Sequence, residues 1–545
     1  MRRFNSDSRL GILHEKVPGA DVSRETSGGP KRVVFHVKQK GGVLLGVDVG
    51  TSGLKAILLA PSGRLLGSVT RAYPLDIPRP GWAQQDPALW WDGAVGAIRA
   101  LLATKRVKPA QIAGVGLTGQ MHGSVFLGAK GQVLSPALLW CDQRTAAECA
   151  EITRLVGGPK ALLRYTFNPA LTGFTAPKIL WVRRHLPQVA KKTEKVLLPK
   201  DYVRFRLTGD YASDVSDASG TLLFDVRNRR WSQPVLKALR IPRGWMPETR
   251  EGPERTGGIS REAARATGLL EGTPVMAGGG DQAAGAIGCG VIEPGIVSAS
   301  LGTSGVVFAA CRLPRQTPDG RLHVFCSAVT GGWHMMGVML AAGGALRWLR
   351  DELGGAVVPQ LSHGQDHYDA MCRAADRIPA GSEGLTFLPY LTGERTPHAD
   401  PHARGVLFGL SLKHTAAHIT RAVLEGVSYG MRDSLELIRG SGVRVNRIRL
   451  SGGGARNPMW CRMQASVYEA TCARLTREEG PALGAAMLAG LGAGVFRDYR
   501  QAVRVCVADR DQFRPDPRLV PTYRRRYATF RSLYPPLKPI FQATA

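Results

Sequence analysis

A strand-like run, Val275-Met276-Ala277, ends in three glycines and a carboxylate, Gly278-Gly279-Gly280-Asp281, and a helix pattern starts near Asp281. An Asp at a helix start is commonly a cap. Glycines that bare the backbone around it also suit close approach of a substrate, so cap and catalytic base both stand as readings. The partial positive charge of a helix N-terminus predicts that this carboxylate stays ionised at neutral pH.

The tetrapeptide Gly50-Thr51-Ser52-Gly53 returns as Gly302-Thr303-Ser304-Gly305, and each copy follows an apolar strand. Small residues let backbone N–H groups approach phosphate oxygens, and the hydroxyls of Thr51, Ser52, Thr303 and Ser304 add donors. Asp48 stands just before the first turn, where a carboxylate can hold Mg²⁺ through water. Lys55 lies close enough to offset phosphate charge. Two plain hairpin turns are the alternative, and the duplication favours phosphate. A further glycine-rich strand end, Leu450-Ser451-Gly452-Gly453-Gly454-Ala455-Arg456-Asn457, offers Gly453, Gly454, Ala455 and Asn457 as a surface for a purine or ribose, or is only a turn. Gly114-Val115-Gly116-Leu117-Thr118-Gly119 fits GxGxxG, but Gln120-Met121-His122-Gly123-Ser124-Val125 continues as loop and strand where a dinucleotide fingerprint needs a helix. No Gly-Lys dipeptide occurs, which excludes a Walker A loop.

These residues need strands and turns to place them. Val43 to Val49, Leu54 to Ala60 and Leu65 to Val69 read as a strand meander, and Ile296 to Ala309 repeats the strand–turn–strand unit. Helical stretches lie between, such as Asp86 to Leu102 with its Asp86-Pro87 start. The class is α/β, and the repeat predicts two related domains facing each other, each offering a turn.

The composition agrees with a globular protein: 545 residues, 44% hydrophobic and 21% charged. No apolar run reaches the roughly 18 residues of a membrane span. Nine Cys without a CxxC pair speak against a disulfide scaffold or structural zinc and for a reducing, cytoplasmic compartment. The net charge of +29 comes from 55 Arg and 17 Lys scattered along the chain, densest at Arg524-Arg525-Arg526. With no zinc-finger spacing or RNP1-like run, it predicts a basic surface attractive to an anionic substrate, and no nucleic-acid partner. Residues 1–42 are polar and aperiodic, which predicts a disordered extension or a start assigned too early. Residues 43–293 form a first domain, 294–500 a second, and 501–545 a tail packing on the body.

Together these motifs resemble the FGGY family of carbohydrate kinases, from about Val43 to about Pro536, and within it the members that act on xylulose. Gln120-Met121-His122-Gly123 is similar to the sugar-binding loop of those members. Gly173-Phe174-Thr175-Ala176-Pro177-Lys178-Ile179-Leu180-Trp181 and the stretch from Gly405 resemble the two family signatures, and Leu197 to Tyr202 and Tyr390 to His398 resemble further blocks. Gln282, Cys141 and Gln84 depart from residues frequent in the family. The resemblance implies two actin-like, ribonuclease-H-like domains of the ASKHA type, with a sugar deep in the cleft and ATP nearer its mouth. It implies ATP-dependent phosphorylation of D-xylulose to D-xylulose 5-phosphate with Mg²⁺, Asp281 as base, and Gln120, Met121, His122 and Gln282 at the sugar. Ribulose, ribitol or glycerol are the alternative substrates. A non-enzymatic, nucleotide-switched protein is a further alternative, but it has no need of Gly280-Asp281 or the sugar loop. The partners expected are D-xylulose and ATP, with room for a homodimer and none for a membrane.

Overall fold

The computed structural model describes residues 42–544 apart from 106, 316, 318, 359–363 and 478. The extension read over 1–42 lies, except for Gly42, outside the described residues. The apolar strands gather into two seven-stranded mixed sheets. The first holds β1 (Val43–Val49), β2 (Gly53–Leu59), β3 (Leu65–Ala72), β4 (Ile112–Gly119), β5 (Arg255–Gly258), β6 (Pro274–Met276) and β7 (Gly279–Gly280). Its order is β5-β6-β4-β1-β2-β3, with β7 also on β4. The second holds β8 (Gly295–Leu301), β9 (Gly305–Cys311), β10 (His323–Cys326), β11 (Trp333–Met339), β12 (Val445–Ser451), β13 (Thr471–Leu475) and β14 (Asp509–Phe513), in the order β10-β11-β9-β8-β12-β13-β14.

The repeated tetrapeptide does the same work in both sheets. It joins β1 to β2 and β8 to β9, each pair antiparallel, and each first strand has a parallel neighbour on its other side, β4 or β12. The sequence repeat is therefore a repeat of fold, and the architecture is that of a two-domain α/β protein of the actin-like class.

The helices that position the site are α1 (Pro87–Lys105), α2 (Thr175–His185), α3 (Pro199–Thr208), α4 (Val215–Ser219) and α5 (Asp281–Gly288) in the first half. The second half contributes α6 (Ala416–Gly440), α7 (Pro458–Tyr468), α8 (Gly480–Gly492) and α9 (Val520–Ala543). Helix α8, made almost wholly of Ala, Gly, Leu and Met, lies directly on the first sheet. A Cβ on Gly116 would stand 1.9 Å from the Ala485 carbonyl oxygen, and one on Gly46 2.2 Å from that of Ala482. The glycine at 116 thus makes room for a helix rather than for a dinucleotide.

Within residues 501–545, β14 closes the edge of the second sheet and α9 buries Tyr523, Tyr527, Phe530, Tyr534 and Phe541, a stripe at helical spacing. The largest core cluster runs from Phe126 and Phe174 to Phe325 and Leu388, so both halves share it. No helix among the described residues is long and apolar enough to cross a membrane.

Candidate active site

Three adjacent strands deliver the chemistry. Val49 pairs with Gly119 across β1 and β4, and Gly280 pairs with the same Gly119 across β4 and β7. The first turn, the Gln120 loop and Asp281 therefore leave neighbouring carboxyl ends of parallel strands, where α/β sheets commonly bind ligands.

Asp281 is the first residue of α5, and its Oδ1 accepts the Gln282 N–H at 2.7 Å. Burial, and then the charge of Asp48, push its carboxyl up to about 7 against that hydrogen bond. The expectation that the helix N-terminus keeps it ionised at neutral pH is thus corrected: desolvation prevails over the dipole, and the group stands between its two forms. Asp48 is pushed up to about 6 by burial, with Lys55, its partner across the β1–β2 ladder, opposing.

Two cavities meet at this carboxylate. The larger, about 350 Å³, opens between α5, the ends of β8 and β12, and the start of α8; Ser300, Gly452, Ala455, Arg456 and Pro481 line it. The smaller, about 140 Å³, is walled by Met121, His122, Trp140, Phe174, Ser304 and Arg395. Asp281 and Gln282 line both.

His122 is held tightly. Its backbone takes a left-handed φ of 70°, uncommon for a residue other than glycine and frequent at functional sites. The carbonyl of His122 accepts the Thr175 hydroxyl at 3.0 Å and the Lys178 ammonium at 3.1 Å. Burial, reinforced by Lys178, lowers its pKa to about 3, so the ring is neutral. Its Nδ1 lies 2.6 Å from the Gly220 carbonyl, which can only accept, so the proton sits on Nδ1 and Nε2 is an acceptor.

Gln120 differs from expectation. It is buried at 2% exposure, donates from Nε2 to Gln85 Oε1 at 3.2 Å and accepts the Thr51 hydroxyl at 3.0 Å. It does not line the small cavity; it braces the first turn.

The phosphate candidates divide. Thr51 Oγ1 also accepts the Trp140 indole N–H at 2.9 Å, while Ser52 beside it is exposed. In the second turn Gly302 and Thr303 face solvent, and Ser304 belongs to the small cavity rather than the large one. Ala455 lines the large cavity, but Gly453 does not, and Gly454 packs on Leu301, whose Cβ would lie 2.6 Å from an added Cβ. Asn457 caps α7, accepting the Met459 N–H at 3.0 Å and donating to Asp369 at 2.8 Å.

Sequence reasoning missed Trp140, Phe174 and Arg395 as cavity residues and Lys178 as the clamp on the His122 loop. Phe174, Lys178 and Arg395 sat inside motif blocks quoted above, and their place within those blocks was the available signal. Among the described residues no group of three or more His, Cys, Asp or Glu side chains could hold a metal ion by itself.

The chain as a whole is similar to known proteins. The family model for the N-terminal domain of the FGGY family of carbohydrate kinases matches residues 43–288, and that for the C-terminal domain matches 297–493. The chain is 40% identical over 497 residues to a xylulose kinase of Escherichia coli (strain K12), covering 91% of this chain and 99% of that one. It is 37% identical over 491 residues to a xylulose kinase of Bacillus subtilis (strain 168), covering 90% and 96%. The crystal structure of xylulose kinase from Rhodospirillum rubrum superposes with a TM-score of 0.85 at 31% identity, covering 92% of this chain and all of that one.

Proposed function

This chain belongs to the FGGY family of carbohydrate kinases, and on that premise we propose that it transfers the γ-phosphoryl group of ATP to the terminal hydroxyl of D-xylulose, giving D-xylulose 5-phosphate and ADP. The observation that carries the reading is the carboxylate shared by two cavities of unequal size. The smaller takes the sugar and the larger the nucleotide, so Asp281 stands where a hydroxyl and a γ-phosphate meet.

Phosphoryl transfer needs an in-line acceptor and stabilisation of the charge on the moving group. Asp281 orients the acceptor hydroxyl and takes its proton as the new P–O bond forms. A carboxylate raised to about 7 is a better acceptor than an ordinary one and is still largely ionised just above neutrality. His122 offers Nε2 as a fixed acceptor to a sugar hydroxyl, and the Met121 and Phe174 surfaces shape the chamber. The backbone of the two turns provides fixed donors for the phosphates. Closing of the halves around the substrates keeps water from competing as acceptor.

A Mg²⁺ brought in with ATP would neutralise charge on the phosphate oxygens. Asp48 would hold such an ion through water: it is a carboxylate raised by burial and close enough to Asp281 to raise that group too, and a hard cation beside it would offset its charge.

The test is an ADP-release assay with D-xylulose, L-ribulose, L-xylulose, ribitol and glycerol. D-Xylulose should give the highest kcat/KM. A higher value for any of the others overturns the sugar assignment and leaves the kinase assignment intact.

A further inference from the structure

The segment that steadies Asp281 is far from it in sequence. Asp281 follows three glycines, a backbone that restrains itself poorly, so its position depends on what grips Gly280. Besides the short β4–β7 pairing, the Gly280 N–H donates to Ser216 Oγ at 3.1 Å. A serine hydroxyl has one proton to give, and this one gives it to Asp214 Oδ1, which leaves its lone pairs for Gly280. Asp214 is fixed in turn. Its Oδ1 accepts the N–H groups of Ser216 at 2.8 Å and Asp217 at 3.1 Å, and its Oδ2 lies 2.7 Å from the Lys200 ammonium. Ser216, Asp214 and Lys200 have no exposed surface.

The same helix reaches the sugar loop. Gly220, which ends α4, accepts His122 Nδ1–H and thereby sets its tautomer. A Cβ on Gly220 would lie 2.6 Å from the His122 ring and 3.0 Å from Met121 Cε, and a Cβ on Gly280 would lie 2.9 Å from Met121 Cγ. Met121 is thus wedged between the two points that α4 holds. Ser219 Oγ also accepts the Cys326 N–H of β10 at 3.0 Å, which ties α4 to the second sheet.

We propose that Ser216 is a positioning residue for phosphoryl transfer: its hydroxyl, aimed by the buried Asp214–Lys200 pair, holds the Gly280 peptide and with it the start of the helix that carries Asp281. The inference rests on the reading of Asp281 as the proton acceptor. Its role is geometric, so its loss should appear in turnover and not in substrate affinity.

The experiment compares Ser216→Ala, Ser216→Thr and Asp281→Asn with the parent in steady-state kinetics, each also followed by thermal unfolding and assayed well below its melting temperature. Ser216→Ala should lose about tenfold to 10²-fold in kcat, the scale of a small misplacement of a reacting group, with both KM values within about twofold of the parent. Ser216→Thr keeps the hydroxyl and should recover most of the lost turnover. A lowered melting temperature with parental kcat in Ser216→Ala, a loss confined to KM, or no recovery in Ser216→Thr would overturn the proposal. If Ser216→Ala does not fold, Ser216→Cys, which keeps a side-chain atom at that place but accepts hydrogen bonds weakly, should show the same kcat-specific loss, and parental kcat there would overturn the proposal. Near-parental turnover by Asp281→Asn sinks the reading of the base and this inference with it. An inert Asp281→Asn beside a fully active Ser216→Ala sinks this inference alone.

Discussion

The two Gly-Thr-Ser-Gly turns have one sequence and two fates. In the first, the Thr51 hydroxyl is shared between Gln120 and Trp140, and the Thr51 carbonyl accepts Gln85 Nε2 at 2.8 Å. In the second, the Thr303 hydroxyl has one long contact, 3.4 Å from Arg347 Nη2, and the residue faces solvent. The strands are equivalent; the side chains brought against them are not. The first turn is packed beside Asp48 and Asp281 as part of a fixed wall, and the second is an open rim whose Ser304 alone reaches the small cavity. A repeated motif specifies backbone, and its surroundings decide what its side chains can still bind.

The largest effect should come from the fixed wall. Asp281→Asn keeps shape and removes the proton acceptor, and kcat with xylulose should fall by at least about 10²-fold with the KM for ATP nearly kept. Retention of more than about a third of the parent rate would break the assignment of chemistry to this side of the cleft. The raised pKa adds a stability signature. A carboxyl near 7 when folded and 3.8 otherwise stabilises the fold fully below about 4 and loses that contribution as pH rises through about 7. Asp281→Asn should therefore gain stability relative to the ligand-free parent between pH about 4 and 7 and hold that gain above. Denaturant midpoints across this range measure it, and a pH-independent difference would contradict the shift.

Much of this site is legible in sequence, and the reasons differ by residue. Asp281 stands out because three glycines and a helix start are local signals. The twin turns are visible because duplication is unlikely by chance. The orientation of Gln120 is not legible: as β4 runs into the loop, neighbouring side chains diverge, and only Thr51 and Gln85, far off in sequence, show which way this one turns. Arg395 is one of 55 arginines, and only its place in the Tyr390 to His398 block sets it apart as a residue that could line the small cavity. The ionisation of Asp281 was misread because the dipole is a property of its own helix, while the burial that outweighs it comes from elements distant in sequence.

The second effect in size belongs to His122. Removing a fixed acceptor leaves a sugar hydroxyl unpaired in a confined chamber. His122→Ala should lower kcat/KM for xylulose by roughly 1–3 kcal/mol and leave the KM for ATP within about twofold. Because the parent imidazole titrates only near 3, the sugar's kcat/KM should show no histidine ionisation between pH 5 and 9; its acidic limb should follow Asp281 instead. Equal weakening of sugar and nucleotide would show that His122 supports the fold of the whole cleft rather than recognising the sugar.

The smallest effect addresses the turns themselves. Thr51→Ala removes the donor to the Gln120 Oε1 atom and the acceptor of the Trp140 N–H. Gln120 is almost fully buried, so its unpaired oxygen should cost about 1–3 kcal/mol of stability. Thr303→Ala removes one long contact at an exposed position and should stay within about 0.5 kcal/mol of the parent. Urea unfolding of the two variants measures the difference directly, since both substitutions delete the same atoms from the same tetrapeptide and leave both backbones unchanged. Equal losses would mean that the surroundings do not distinguish the turns. A loss confined to Thr51→Ala ties the distinction to the Gln120–Trp140 brace, which is present at one turn and missing at the other.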